Sequence, residues 1–196
     1  MWNKKFENLN EFLYGKEPNQ FIATEIENWN GKNLICFGEG EGRNAVYLAE
    51  KGFSVTALDS SEVGLKKAKD FAKENNLEIE TILTKIEDFR TSEKFDIAIS
   101  SFMHIHSGLQ KTAFEKIVLS LKVGGVFIGE FFSEEQLNFS SGGPKDIDLL
   151  YSEKEVREIL SNLNCKIKKC EVEKTTLNEG KGHIGEASVL RIVFVR

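Results

Sequence analysis

Apolar positions in this chain recur in two alternating rhythms. Short continuous apolar runs alternate with stretches whose apolar residues return every three or four positions. The runs predict strands over 33–38, 53–58, 78–83, 95–100 and 125–132. The periodic stretches predict helices over 43–51, 61–75 and 108–121. Ser60 or Ser61 with Glu62 supplies an N-cap for the second of these helices. Lys122-Val123-Gly124-Gly125 reads as a helix stop and turn before the fifth strand. Runs such as Phe95-Asp96-Ile97-Ala98-Ile99 are too continuously apolar for a sheet wetted on one side, so helices are expected on both faces. Strands alternating with helices imply a parallel, doubly wound α/β sheet with right-handed crossovers.

Two regions depart from that rhythm. Residues 3–14 read as an amphipathic helix with Phe6, Leu9, Phe12 and Leu13 on one side, broken at Tyr14-Gly15-Lys16-Glu17-Pro18-Asn19. A second helix follows with Phe21, Ile22, Ile26 and Trp29 on one face. Residues 1–31 thus form a helical cap, either packing on the sheet or closing over a ligand. At the other end, a loop from Asn138 to Leu150 and a helix over 153–162 lead to two β-rich runs, Lys166 to Thr175 and Ala187 to Val195. The segment Leu177 to His183 separates them, which makes a long antiparallel hairpin. With no repeat or linker, the 196 residues suit a single domain.

The chemistry concentrates where the first strand ends. Leu34-Ile35-Cys36-Phe37 runs into Gly38-Glu39-Gly40-Glu41-Gly42 and then the helix opening Arg43-Asn44. Glycine permits a tight turn and close backbone approach, and the helix start offers unpaired N–H groups. One crossover later the second strand ends at Asp59. A Gly-rich βα turn with an acid at the end of the next strand suits a nucleoside, the carboxylate taking the ribose hydroxyls. Asp59 is also suited to capping a helix.

Charge narrows the possible partners. A net charge of −5 argues against a broad nucleic-acid surface. No apolar run approaches the roughly 20 residues that span a bilayer, and the start lacks a signal-peptide pattern. The three cysteines fit reduced thiols in a cytoplasm, and no Cys/His spacing suggests a metal site.

Taken together, these motifs resemble the class I S-adenosylmethionine-dependent methyltransferases, in particular the small bacterial branch near the tellurite-resistance and thiopurine enzymes. The resemblance rests on Tyr14 to Asn19, Gly38 to Ala49, Val55 to Ser61, Leu121 to Val126, Ser141-Gly142-Gly143-Pro144-Lys145 and Asp148 to Tyr151. It implies a seven-stranded Rossmann-like sheet of order 3-2-1-4-5-7-6 with strand 7 antiparallel. It implies S-adenosylmethionine as cofactor, with Gly38, Glu39, Gly40, Gly42, Arg43 and Asn44 around its methionine part. Asp59 and Ser60 would meet the ribose, Ile86, Glu87 and Asp88 the adenine, and Ser100 and Ser101 the sulfonium. Where the family often has an acid two residues before the first glycine, this chain has Cys36. Glu39, Glu41 or a backbone carbonyl is left to hold the cofactor amine. Lys85 stands near the family's frequent Asp after strand three.

The implied reaction is methyl transfer to a small-molecule nucleophile such as a thiol or chalcogen oxyanion. His104 and His106, just past the fourth strand, are candidate general bases, with packed or surface histidines the alternative. His183, in the glycine-rich segment of the hairpin, reads as a solvent-exposed loop residue. The loop 138–151 is placed to form a lid or substrate wall. Two other functions share the glycine turn and acid: a nicotinamide-dependent oxidoreductase, and a non-catalytic protein that binds the cofactor or its product. Oligomeric state leaves no mark on the sequence.

Overall fold

The computed structural model describes residues 2–7 and 11–196. The strands are β1 (Asn33–Phe37), β2 (Ser54–Asp59), β3 (Glu80–Leu83), β4 (Phe95–Ser101), β5 (Leu121–Phe132), β6 (Lys166–Glu179) and β7 (His183–Val195). The helices are α1 (Trp2–Phe6), α2 (Gln20–Glu25), α3 (Arg43–Glu50), α4 (Glu62–Glu74), α5 (Ser107–Ser120) and α6 (Glu153–Asn162). The strands form one sheet of order β3-β2-β1-β4-β5-β7-β6. β1 to β5 pair in parallel, and β7 runs antiparallel to both β5 and β6.

Alternation along β1 shows why both sheet faces are dry. Leu34 and Cys36 pack with Ile22, Leu48 and Leu65 from α2, α3 and α4 on one face. Ile35 and Phe37 pack with Phe114, Ile117, Val156 and Leu160 from α5 and α6 on the other. Period-two side chains sent to two apolar layers explain the unbroken hydrophobic runs. The Lys122–Gly125 turn is a bulge in β5: Phe95 pairs with Leu121 and Ile97 with Val126, so four residues loop out of register. Gly124 there has φ +82°.

Two expectations change. The first helix covers only Trp2–Phe6; Phe12 and Leu13 stand outside it, and Leu9 lies outside the described residues. Leu13 is held by tertiary hydrogen bonds instead. Its N–H donates to Glu41 at 2.7 Å, and its carbonyl accepts from the N–H groups of Lys181 and Gly182, each at 3.0 Å. The final hairpin is longer than its apolar runs. Its ladder continues to the Glu179–His183 pair, leaving Gly180-Lys181-Gly182 as the turn. Residues 176–179, polar except for Leu177, are strand because their cross-strand partners order them, which an apolar-run criterion misses.

Candidate active site

β1 and β4 are neighbours, but their connections leave toward opposite sides of the sheet. This topological switch point opens a crevice at the carboxyl ends of the strands. A cavity of 410 Å³ occupies it. Its wall contains Gly38, Glu39, Gly40 and Arg43 from the turn after β1, Asp59 and Ser60 after β2, Ile86 and Glu87 after β3, and Ser101 at the end of β4. His104 and His106 join them, as do Trp2, Tyr14 and His183.

The glycine turn is shaped by backbone conformation and close approach. Gly38, Gly40 and Gly42 have φ of +66°, +61° and +92°, the left-handed region that favours glycine. Gly42 ends the turn as the N-cap of α3 and faces α4, where an added Cβ would lie 2.5 Å from the Cβ of Ala68. Asp59 Oδ2 accepts the Gly40 N–H at 2.9 Å and Oδ1 accepts the Ser61 N–H at 2.7 Å. Burial raises its pKa against those hydrogen bonds. Ser61, not Ser60, caps α4, accepting the Gly64 N–H at 3.0 Å; Ser60 is exposed at the cavity edge.

The turn's acids have different environments. Glu41 forms a buried ion pair with Lys67 and accepts the Leu13 N–H. Glu39 accepts the Ala45 N–H at 2.8 Å, and burial lifts its pKa to about 7. Cys36 is wholly buried; burial first and the neighbouring Glu39 second hold its thiol well above its usual value.

Gly42, Asn44, Asp88 and Ser100 stand outside the cavity wall. Asn44 is 1% exposed and braces the wall from behind, accepting the Asn19 N–H at 2.8 Å and donating to Ser101 Oγ at 3.0 Å. Ser100 donates to the Phe37 carbonyl at 2.9 Å. Asp88 is exposed. The two candidate bases differ. His104 stacks between Trp2 and Phe132, each with ring centroids 5.9 Å away. Burial, then the charges of His183 and Lys5, push its pKa down to about 3. His106 is exposed, with Nδ1 2.5 Å from Asp148 in the 138–151 loop.

His183 overturns its sequence reading. It is 1% exposed, lies in the cavity wall, and its Nδ1 is 2.9 Å from Glu179 Oε2. The same carboxylate oxygen accepts from Arg43 Nη2 at 2.9 Å. Strand pairing, rather than any local hydrophobic signal, brings His183 inward. Asn19 is a second residue that sequence reasoning missed. Its Nδ2 donates to Glu130 at 2.7 Å and Glu179 at 3.0 Å, tying the cap to β5 and β6. The sequence marks Asn19 only as the last residue of the Tyr14–Asn19 break and His183 only as a polar position among glycines.

The lining suits a nucleoside with a charged tail. Each Asp59 oxygen accepts one backbone N–H and keeps a lone pair for a further donor. Arg43 Nη1 is a buried donor with no partner among the described residues. Among these residues no group of three His, Cys, Asp or Glu side chains is placed to hold a metal.

The sheet order, its antiparallel seventh strand and the glycine turn at the switch point define the seven-stranded Rossmann-like fold that the sequence implies. The family described as "Methyltransferase domain" matches residues 35–125, a little under half of the chain. The ubiquinone biosynthesis O-methyltransferase of Rickettsia akari is 30% identical over 95 residues, 48% of this chain and 38% of that protein. The chain thus spans well under two thirds of the length of this curated relative. In fold it is similar to TehB from Haemophilus influenzae, at TM-score 0.74 and 18% identity over 91% of this chain and 62% of that one. Magnesium protoporphyrin IX methyltransferase from Synechocystis, solved with bound S-adenosylhomocysteine, gives TM-score 0.74 at 16% identity, covering 100% of this chain and 95% of that one. No described helix is long and apolar enough to cross a membrane.

Proposed function

We propose that this protein transfers a methyl group from S-adenosylmethionine to a small-molecule nucleophile. One observation carries the reading: a single cavity wall joins the Gly38–Gly40 turn, Asp59, the Ile86–Glu87 segment and the β4 tip at Ser101. Asp59 accepts from the ribose hydroxyls, Ser60 flanks them, and Ile86 with Glu87 faces the adenine. Gly38, Gly40 and Glu39 surround the methionine part, with Glu39 the acid nearest to hand for its amine. Gly42, Asn44 and Ser100 act by shaping the turn and fixing Ser101. When bound, the cofactor supplies a methyl group already activated by its sulfonium charge. The protein's share is to align donor and acceptor and to exclude water, which the aromatic walls do. Its three free thiols suit a reducing cytoplasm.

Isothermal titration with S-adenosylhomocysteine tests this reading. Micromolar binding that weakens strongly in Asp59→Ala is expected. Absence of binding at millimolar ligand would overturn it, and binding of NADH in its place would favour the oxidoreductase alternative.

A further inference from the structure

We propose that Arg43, Glu179 and His183 build the acceptor subsite of this reaction. Its substrate is a weakly acidic hydroxyl on a planar aromatic ring, deprotonated by His183 and held as an anion by Arg43. The proposal rests on the methyl-transfer reading above and names its acceptor class.

The first observation is Arg43. Its side chain is 8% exposed, its Nη2 is committed to Glu179, and its Nη1 is buried without a partner. Buried donors are nearly always satisfied, and a guanidinium nitrogen buried without a partner, on a residue of the cavity wall, calls for an acceptor, best an anionic one. Nearby charge is otherwise balanced. Glu179 offsets Arg43, while Arg191 and Lys169 together offset Glu130 and Glu173. An incoming anion therefore meets one unspent donor and no free carboxylate within this network.

The second is His183. Its Nδ1 faces the Glu179 carboxylate, which fixes the proton on Nδ1 and leaves the Nε2 lone pair without a protein partner among the described residues. Burial lowers its pKa, opposed by Glu179 and aided by Arg43 and Lys5. His104 and Tyr14 are the remaining titratable groups against it. The ring is thus a neutral, oriented base. Glu179 stays ionised: burial would raise its carboxyl, but the His183 hydrogen bond and the Arg43 charge hold it below the ordinary range.

The third is the wall. Tyr14 and Phe102 lie 4.5 Å from the His183 ring and Phe132 lies 5.0 Å away, with His104 stacked on Phe132. Phe102 holds φ +50°, a conformation bulky residues rarely adopt, and so turns its ring toward His183 at the very tip of β4. Tyr14, Phe102 and His104 thus give the cavity an aromatic wall, backed by Phe132, that suits a flat acceptor.

The hydroxyl proton passes to His183 Nε2. An oxygen lone pair bonds the methyl carbon as the carbon–sulfur pair returns to the sulfur, leaving a methyl ether and a thioether. His183 then releases its proton to water.

4-Nitrocatechol is a suitable probe because its ionisation is visible by absorbance. With S-adenosylhomocysteine saturating, the bound probe should ionise about one pH unit or more below the free probe, the shift expected of a nearby cation. Arg43→Lys, which keeps the charge but not Nη1, should shrink that shift by a larger factor than it weakens S-adenosylhomocysteine binding. With S-adenosylmethionine, His183→Gln should keep the shift but lose about 100-fold or more in methylation rate below the probe's own pKa, recovering as pH rises. His183→Asn serves if the glutamine variant fails to bind S-adenosylhomocysteine, and the wild-type titration needs no variant. An unshifted probe, an unmethylated probe, or an unaltered pH–rate profile in the His183 variants overturns the proposal. So does an Arg43→Lys protein that loses S-adenosylhomocysteine binding with the probe shift intact, which assigns Nη1 to the cofactor's carboxylate. Failure of wild-type protein to bind S-adenosylhomocysteine overturns instead the methyl-transfer reading itself.

Discussion

Arg43 Nη2 donates to Glu179 Oε2 at 2.9 Å, with the two side chains only 8% and 9% exposed, across a separation of 136 residues. The first residue of α3 is thereby pinned to the last hairpin. Removing one partner of such a pair leaves the other charge buried. Glu179→Gln should destabilise the fold by roughly 3–5 kcal/mol, more than exchange of an exposed pair such as Lys66–Asp70. Urea denaturation of the two variants measures the difference; equal midpoints would refute the claim.

The same carboxylate gives stability a pH dependence. Glu179 titrates below its ordinary value when folded, so it contributes stability above the usual glutamate range that is lost as pH falls toward its folded pKa. His104 acts in the same direction by the opposite chemistry. Its folded pKa is depressed to about 3, so the unfolded chain takes up a proton first, and stability declines from about pH 6.5 downward. Thermal unfolding between pH 4 and pH 8 should show a falling midpoint on the acid side, with the part near pH 6 reduced in His104→Phe and the remainder owed to His183, whose pKa burial also lowers.

Glu39, with its pKa raised to about 7, is half protonated at neutrality in the free protein. An ammonium group placed beside it would favour the carboxylate and expel the proton. Cofactor affinity should therefore rise with pH up to about 7 and then level. Calorimetry in buffers of different ionisation heat should detect proton release on binding at pH 6, and Glu39→Gln should abolish it.

Asp59→Ala removes acceptors for the Gly40 and Ser61 N–H groups as well as for the proposed ribose contact. Charged hydrogen bonds contribute about 1.5–3 kcal/mol each, so affinity for S-adenosylhomocysteine should fall at least tenfold to a hundredfold. Asp59→Asn, which retains one acceptor, should fall between the two proteins by titration calorimetry.

Gly42→Ala places a Cβ 2.5 Å from Ala68 in a left-handed conformation. The crowding should part α3 from α4 and cost about 1–3 kcal/mol, read as a lower denaturation midpoint. An unchanged midpoint would show that the helices separate freely.

Much of this molecule was legible in its residues. Apolar runs and helical spacing are local consequences of period and burial, so β1 to β5, α3 to α6 and the doubly covered sheet followed from pattern. The Gly38–Gly42 turn and Asp59 were visible because their chemistry is tied to the ends of those strands. Tertiary structure alone decided what distant polar groups do. The N–H and carbonyl of Leu13 are used by Glu41 and the hairpin turn, which ends the helical reading of that segment. His183 sits among glycines in sequence, yet its strand partner Glu179, itself held by Arg43, fixes it in the cavity wall. Hydrophobic periodicity encodes which face of an element is buried. It carries no record of which ionisable groups, more than a hundred residues apart, will neutralise one another inside.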